Sequence, residues 1–226
     1  MVSILLLAIF MIGAASAADA NVTDTADDVL AVESADEDAI AESPGTFDDL
    51  QSLVDNAVSG DTLYLDKDYS RTVNHKIRIY KAITIDGQGH TMDSDYKENY
   101  VFYVTNSGAV IKNLTFINGG DIYVYSDGAT CSVYDCRFEK CPAVHTGGAI
   151  HGGDAYNCSF VECSSTTGGA ICDGNAYNCS FIDCSANFGG AIYSGSAYNC
   201  SFVGCHANYY GGAIHGGDAY NCSCLK

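Results

Sequence analysis

Positive charge is scarce in this chain. Ten Lys and Arg stand against 28 Asp and Glu in 226 residues, a formal net charge of −18. A general DNA or RNA binder needs a basic face to displace counterions, so that class is excluded. Docking on anionic lipid is disfavoured for the same reason. Long apolar runs are missing too. After the first 20 positions no stretch of about 18 apolar residues occurs, so the sequence shows no internal membrane span. Glycine is plentiful at 24 but does not recur at every third position, which excludes collagen. Leucine disappears between Leu114 and Leu225, and Lys and Arg are absent from 141 to 225.

What is present is unevenly spread. Residues 4–15 form an apolar run, ILLLAIFMIGAA, followed by Ala15-Ser16-Ala17, a small-x-small cleavage signal. This predicts a signal peptide over 1–17 with cleavage after Ala17, although no Lys or Arg precedes the run. Residues 18–45 carry nine acids and no base, half of the net charge. That composition predicts a solvated, disordered acidic linker. All 12 cysteines lie between Cys131 and Cys224. Such density suits a secreted, crosslinked or metal-rich segment better than a cytosolic enzyme.

After the breaker Ser43-Pro44-Gly45, apolar residues at Phe47, Leu50, Leu53, Val54, Ala57 and Val58 mark a helical stripe. Thr46 is its expected N-cap, with Asp49 three residues on. From Asp61 onward the alternation and β-branched content predict strands, beginning with 62–65, 77–80 and 82–85.

The C-terminal half repeats. Gly-Gly-Ala-Ile blocks start at Gly147, Gly168, Gly189 and Gly211. Phe116, Phe138, Phe160, Phe181 and Phe202 recur every 21 or 22 residues and set a register, with Cys224 in the next place. Three residues before each mark stand Asn113, Asp135, Asn157, Asn178, Asn199 and Asn221. Two before stand Leu114, Cys136, Cys158, Cys179, Cys200 and Cys222; three after stand Cys141, Cys163, Cys184 and Cys205. A period of this length means a solenoid or a propeller. A propeller blade needs about 40 residues, and leucine-rich repeats need the leucines that are missing. A coil of parallel β-helix fits, with two or three short strands per turn stacked at about 4.8 Å. Strand parity then points the Phe column and the Cys at Phe−2 inward. It points the Asn at Phe−3 and the Ser at Phe−1 outward.

The expected fold is therefore all-β: a right-handed parallel β-helix of 21–22-residue coils over 46–226. Its parts are a capping helix over 46–60, irregular coils over 61–146 and the Gly-Gly-Ala-Ile repeats over 147–226. The helix would cover an open end that otherwise exposes unpaired strands. At the other end the sequence stops inside a coil, which predicts a truncated frame or a continuation.

The paired Gly-Gly-Ala-Ile and Phe-x-x-Cys motifs resemble the repeats of chlamydial polymorphic outer-membrane proteins, with Cys where those have Asn. The helix at 47–58 followed by 82–91 (AITIDGQGHT) and 111–116 (IKNLTF) resembles adhesin-like surface proteins of methanogenic archaea. That resemblance implies a leader, a polar linker and a β-helix of the pectin-lyase type. It also implies a secreted or cell-surface protein whose partners are glycans or proteins of neighbouring cells. An anaerobic habitat, which it implies as well, would favour free thiols.

Chemistry is sparse by comparison. Polysaccharide hydrolysis on this fold needs a close carboxylate pair, and lyases need clustered acids with a basic residue. In the regular repeats Asp154 and Asp218 share a column but lie three coils apart, about 14 Å. The mixed patch Lys76, Arg78, Lys81, Asp86, His90, Asp93 and Asp95 in the irregular coils carries the alternative reading, a β-helix polysaccharide lyase or hydrolase. A passive surface stalk is the third. No catalytic residue, cofactor or metal is assigned. His151, Cys172, Tyr193 and His215 share one column, and His151 and Cys172 fall in adjacent coils. Two further zinc ligands are not evident there. The cysteine columns allow buried thiols, strained inter-coil disulfides or metal. Asn21, Asn113, Asn157, Asn178, Asn199 and Asn221 each begin an N-x-S/T sequon and are candidate glycosylation sites. Tyr123, Tyr125, Tyr193, Tyr209 and Tyr210 are candidates for stacking on sugars.

Overall fold

One repeat shows how the chain turns. Asp154–Tyr156 runs as a strand and Asn157 breaks it with a left-handed φ of 55°. Ser159–Val161 forms the second strand, and Glu162 turns again at φ 53°. After Gly168 and Gly169 the third strand, Ile171–Cys172, ends at Asp173, with φ 56°. Each strand pairs in parallel with its counterpart one coil on: Phe160 with Phe181, Tyr156 with Tyr177, Ile171 with Ile192. The computed structural model describes residues 43–225 except 73–74, 96–99, 126–127 and 145. The expected leader, the cleavage at Ala17, the sequon at Asn21 and the linker up to residue 42 lie outside the described residues.

Among the described residues the pairings build sheets of nine, seven and eight strands. The fold is an all-β parallel solenoid of about eight coils, the architecture of a right-handed parallel β-helix, with very little helix. We call the three long sheets after the residue each repeats: the Phe sheet, the Ile sheet and the Tyr sheet. A small fourth sheet pairs Ser185–Phe188 with His206–Tyr210.

The bore is filled by columns, as in-register stacking requires. Phe116, Phe138, Phe160, Phe181 and Phe202 are buried. Their rings stack face to face with centroids 4.7–5.1 Å apart. Ile150, Ile171 and Ile192 fill a second wall and Ala155, Ala176 and Ala197 a third, all buried. The small Ala column leaves room for the Phe rings. At the Gly pairs, backbone approaches backbone. A Cβ on Gly169 would collide with the carbonyl oxygen of Gly190 in the next coil.

The helix, Phe47–Asn56, has the expected cap. Asp49 N–H donates to Thr46 Oγ1 at 3.1 Å and Thr46 N–H donates to Asp49 Oδ2 at 2.8 Å, a capping box. Phe47, Leu50 and Val54 are buried and close the bore. Its side chains also finish the edge of the Ile sheet. Arg78 N–H donates to Gln51 Oε1 at 2.6 Å, and Gln51 Nε2 donates to Arg78 C=O at 3.3 Å. The carboxamide thus takes the place of a neighbouring strand on Ile77–Ile79, a device against edge-to-edge association. Lys81 Nζ donates to the carbonyls of Asp55 (2.8 Å) and Ala57 (2.7 Å), placing a cation at the negative end of the helix. Strand pairing begins slightly before the helix, where Gly45–Thr46 pairs with Tyr69–Ser70.

Candidate binding face

The corner between the Tyr and Phe sheets carries the most regular surface. Tyr134, Tyr156, Tyr177, Tyr198 and Tyr220 stack with centroids 4.6–4.9 Å apart, four residues before the Phe register. The next residue is the Asn column, and the structure gives its physical reason. Asn113, Asp135, Asn157, Asn178, Asn199 and Asn221 all have φ between 52° and 55°. Asn and Asp enter that left-handed region more readily than other side chains that carry a Cβ. The amides also form a ladder. Asn157 Nδ2 donates to Asp135 Oδ1 (3.2 Å), Asn178 to Asn157 (3.3 Å) and Asn221 to Asn199 (2.7 Å). As parity predicts, Asn157, Asn178 and Asn199 are exposed, and Ser159, Ser180 and Ser201 face outward beside them.

The Asn and Ser columns, with the Cys column between them, line an open groove of about 550 Å³. Its chemistry is uncharged: carboxamides, hydroxyls and, from the adjoining ladder, phenols. Burial raises the pKa of Tyr156 and Tyr177, with Asp154 adding to the effect, so their hydroxyls stay protonated. Stacked rings cover one another's faces, so the ladder offers edges and hydroxyls. The surface thus presents hydrogen-bond donors and acceptors more than open ring faces.

The tyrosines expected to stack on sugars fall into separate groups. Tyr123 and Tyr125 join Tyr100 and Tyr103 on the Ile sheet, with Tyr100 and Tyr123 centroids 4.2 Å apart. Lys76 Nζ sits 3.7 Å above the Tyr103 ring. Tyr193 stacks on His215 at 5.3 Å, and Tyr209 and Tyr210 flank Phe188. The Tyr134–Tyr220 ladder was not singled out from sequence. Its signal was present, since every member stands at Phe−4 of the same register.

The mixed charged patch is divided among local contacts. Lys81 caps the helix, as above. Asp86 is buried and accepts from Lys112 Nζ (3.0 Å), Asn113 Nδ2 (2.9 Å) and Gln88 N–H (3.1 Å). Burial pushes its pKa up, but these donors outweigh it and hold the carboxyl down at about 2. His90 meets Asp68 at 3.1 Å. Asp93 accepts from Asp95 N–H (2.9 Å) and Asn118 Nδ2 (3.1 Å), closing a turn. Lys76 and Arg78 share a cleft of about 430 Å³ beside the helix with Asp48, Asp55, His75 and Tyr80.

The cysteines carry free thiols, all twelve. The Phe−2 column has a further job at the corner. Cys158 N–H donates to Cys179 Sγ, Cys179 N–H to Cys200 Sγ and Cys200 N–H to Cys222 Sγ, each at 3.4 Å. Each thiol in turn donates to the carbonyl two residues earlier at 3.3 Å. Sulfur here satisfies a buried backbone donor that the corner would otherwise orphan. The Phe+3 column makes longer contacts, such as Cys163 Sγ to Phe138 C=O at 3.8 Å. Cys131, outside both columns, has its thiol pushed up to about 12 by burial.

Among the described residues no helix is long and apolar enough to cross a membrane. Comparison with protein-family models, curated proteins and solved structures finds no match. The functional reading therefore rests on the geometry of the coil and the motifs.

Proposed function

We propose that the chain is a secreted or cell-surface, adhesin-like rod that attaches to extended glycans of neighbouring cells. The observation that carries this reading is the groove at the Asn corner, flanked by a five-member Tyr ladder. A polymer lying along it would meet the same donors and acceptors at every coil. Weak contacts then add through high effective concentration. The absence of Lys and Arg from 141 to 225, and the uncharged lining, favour neutral polysaccharides over acidic ones.

The test uses the full chain on immobilised mannan, cellulose-type and chitin-type polysaccharides, with reducing-sugar release followed in parallel. Replacing Tyr156, Tyr177 and Tyr198 together with Phe keeps the stack and removes three hydroxyls. The expected result is binding without turnover, weakened by the triple change. Turnover of any polymer would overturn the reading in favour of an enzyme. Binding that the triple change leaves untouched would move the site off this edge. Absence of binding to every polymer would leave the stalk reading standing in its place.

A further inference from the structure

Nine of the twelve cysteines belong to the two buried columns, where core packing and corner hydrogen bonds account for them. Cys172 does not. It stands on the outward row of the Ile sheet, in register with Tyr103, Tyr123, His151, Tyr193 and His215 of the other coils. From Tyr103 onward every other member of that row carries a ring, and Arg78 begins it. His151 lies one coil before Cys172 and is directly paired with it. Its ring stacks on Tyr123 at 4.6 Å, which holds it in place. Its Nδ1 is buried and has no hydrogen-bond partner. The residue after Cys172 is Asp173, whose left-handed φ of 56° ends the strand.

One imidazole nitrogen, the Cys172 sulfur and a carboxylate oxygen of Asp173 all lie within 4.8 Å of one another. The Cys172 Sγ to Asp173 Oδ2 distance is already 3.5 Å. At ordinary zinc bond lengths a tetrahedral site spaces its donors about 3.2–3.7 Å apart. One edge of such a site therefore exists, and the other two donor pairs lie within 4.8 Å, so Cys172 and Asp173 need only a small shift toward the held imidazole. In the sequence His151 and Cys172 share a column with no further zinc ligand evident, because Asp173 reads there as a turn residue.

We propose that His151, Cys172 and Asp173 bind one thiophilic divalent cation of the zinc class, leaving one coordination position open. The donor set of sulfur, nitrogen and oxygen suits zinc or cobalt and does not suit magnesium or calcium. On binding, the Cys172 thiol loses its proton to solvent and the sulfur bonds to the metal. Thiolate and carboxylate together balance the two positive charges. No Lys or Arg lies between 141 and 225 to compete for them. The repeat supplies its own control. His215 sits in the same sequence block as His151, GGAIHGGDAYNC, and its Nδ1 is likewise buried without a partner. Its paired neighbour is Tyr193, followed by Ser194, so neither of the other two donors stands beside it.

The test is anaerobic titration of the reduced full chain with Co²⁺, read by thiolate-to-cobalt absorption. One equivalent is expected to give the band. Cys172→Ser and His151→Gln are expected to lose it, and His215→Gln and Cys224→Ser to keep it. Cys172→Tyr copies Tyr193 of the next coil, so it should fold and also lose the band. A wild-type chain without the band would overturn the proposal. So would a band that survives Cys172→Ser or one that follows the exposed Cys224.

Discussion

Removing the side chain of Phe160 is the sharpest test of how the coil is held. Phe160 is fully buried, with Phe138 stacked on one face at 5.1 Å and Phe181 on the other at 4.8 Å. Truncating a buried Phe to Ala costs about 3–5 kcal/mol in lost transfer energy and residual cavity. Each aromatic stack adds about 0.5–1.5 kcal/mol beyond burial, and two are lost here. The surrounding backbone is tied into three parallel ladders and cannot collapse into the hole. The expected cost is thus at the upper end, about 5 kcal/mol. Phe202 stacks on Phe181, but its partner in the following coil is Cys224. Phe202→Ala should cost about 1 kcal/mol less, one stack instead of two. Urea denaturation followed by tyrosine fluorescence reads both, with no tryptophan to obscure the signal. A Phe160→Ala cost below about 2 kcal/mol, or one equal to that of Phe202→Ala, would refute the stacked-core argument.

Other outcomes follow from the same geometry. Gly169→Ala should destabilise more than a typical surface change, by at least about 2 kcal/mol, because its Cβ collides with the Gly190 carbonyl; thermal melts compare it with Gly212→Ala, which meets nothing within 4 Å. Asp86 has its pKa lowered from 3.8 to about 2, so the folded state holds its proton less tightly than the unfolded one. Its contribution is complete above pH 4 and is lost as pH falls through about 2, worth about 2 kcal/mol. In Asp86→Asn the acid limb of the stability curve should flatten by that amount. A thiol reagent added to the native, reduced chain should label Cys224 first and Cys205 and Cys222 more slowly. The eight cysteines of the hydrophobic core should react only on unfolding; early labelling of Cys163 or Cys184 would contradict the thiol columns.

Much of this architecture could be read from residues because a parallel coil copies itself. Once Phe116 and its successors set the register, strand parity placed the Cys and Ser columns correctly, and Thr46 with Asp49 marked the helix start. The misses have physical causes. A Tyr at Phe−4 looks like ordinary strand composition until stacking shows the rings aligned. The Asn column carries both a sequon and a left-handed corner, and the repeated Asn/Asp choice, including Asp135, was the clue to the second. The irregular coils were harder, because Asp86, Lys112 and Asn113 come together across a coil with no repeated motif to announce it. Lys81 appeared as one charge in a patch, whereas its position relative to the helix end makes it a cap. Asp173 needed the backbone turn to bring its carboxylate beside Cys172.

The central claim is that one repetitive edge grips an extended polymer across several coils. Calorimetric titration of the full chain with a length series of neutral oligosaccharides tests it most directly. Affinity should climb with chain length until the sugar spans the coils from Tyr134 to Tyr220, then level off. An affinity independent of length, or cleavage of the oligosaccharides during the titration, would contradict the account.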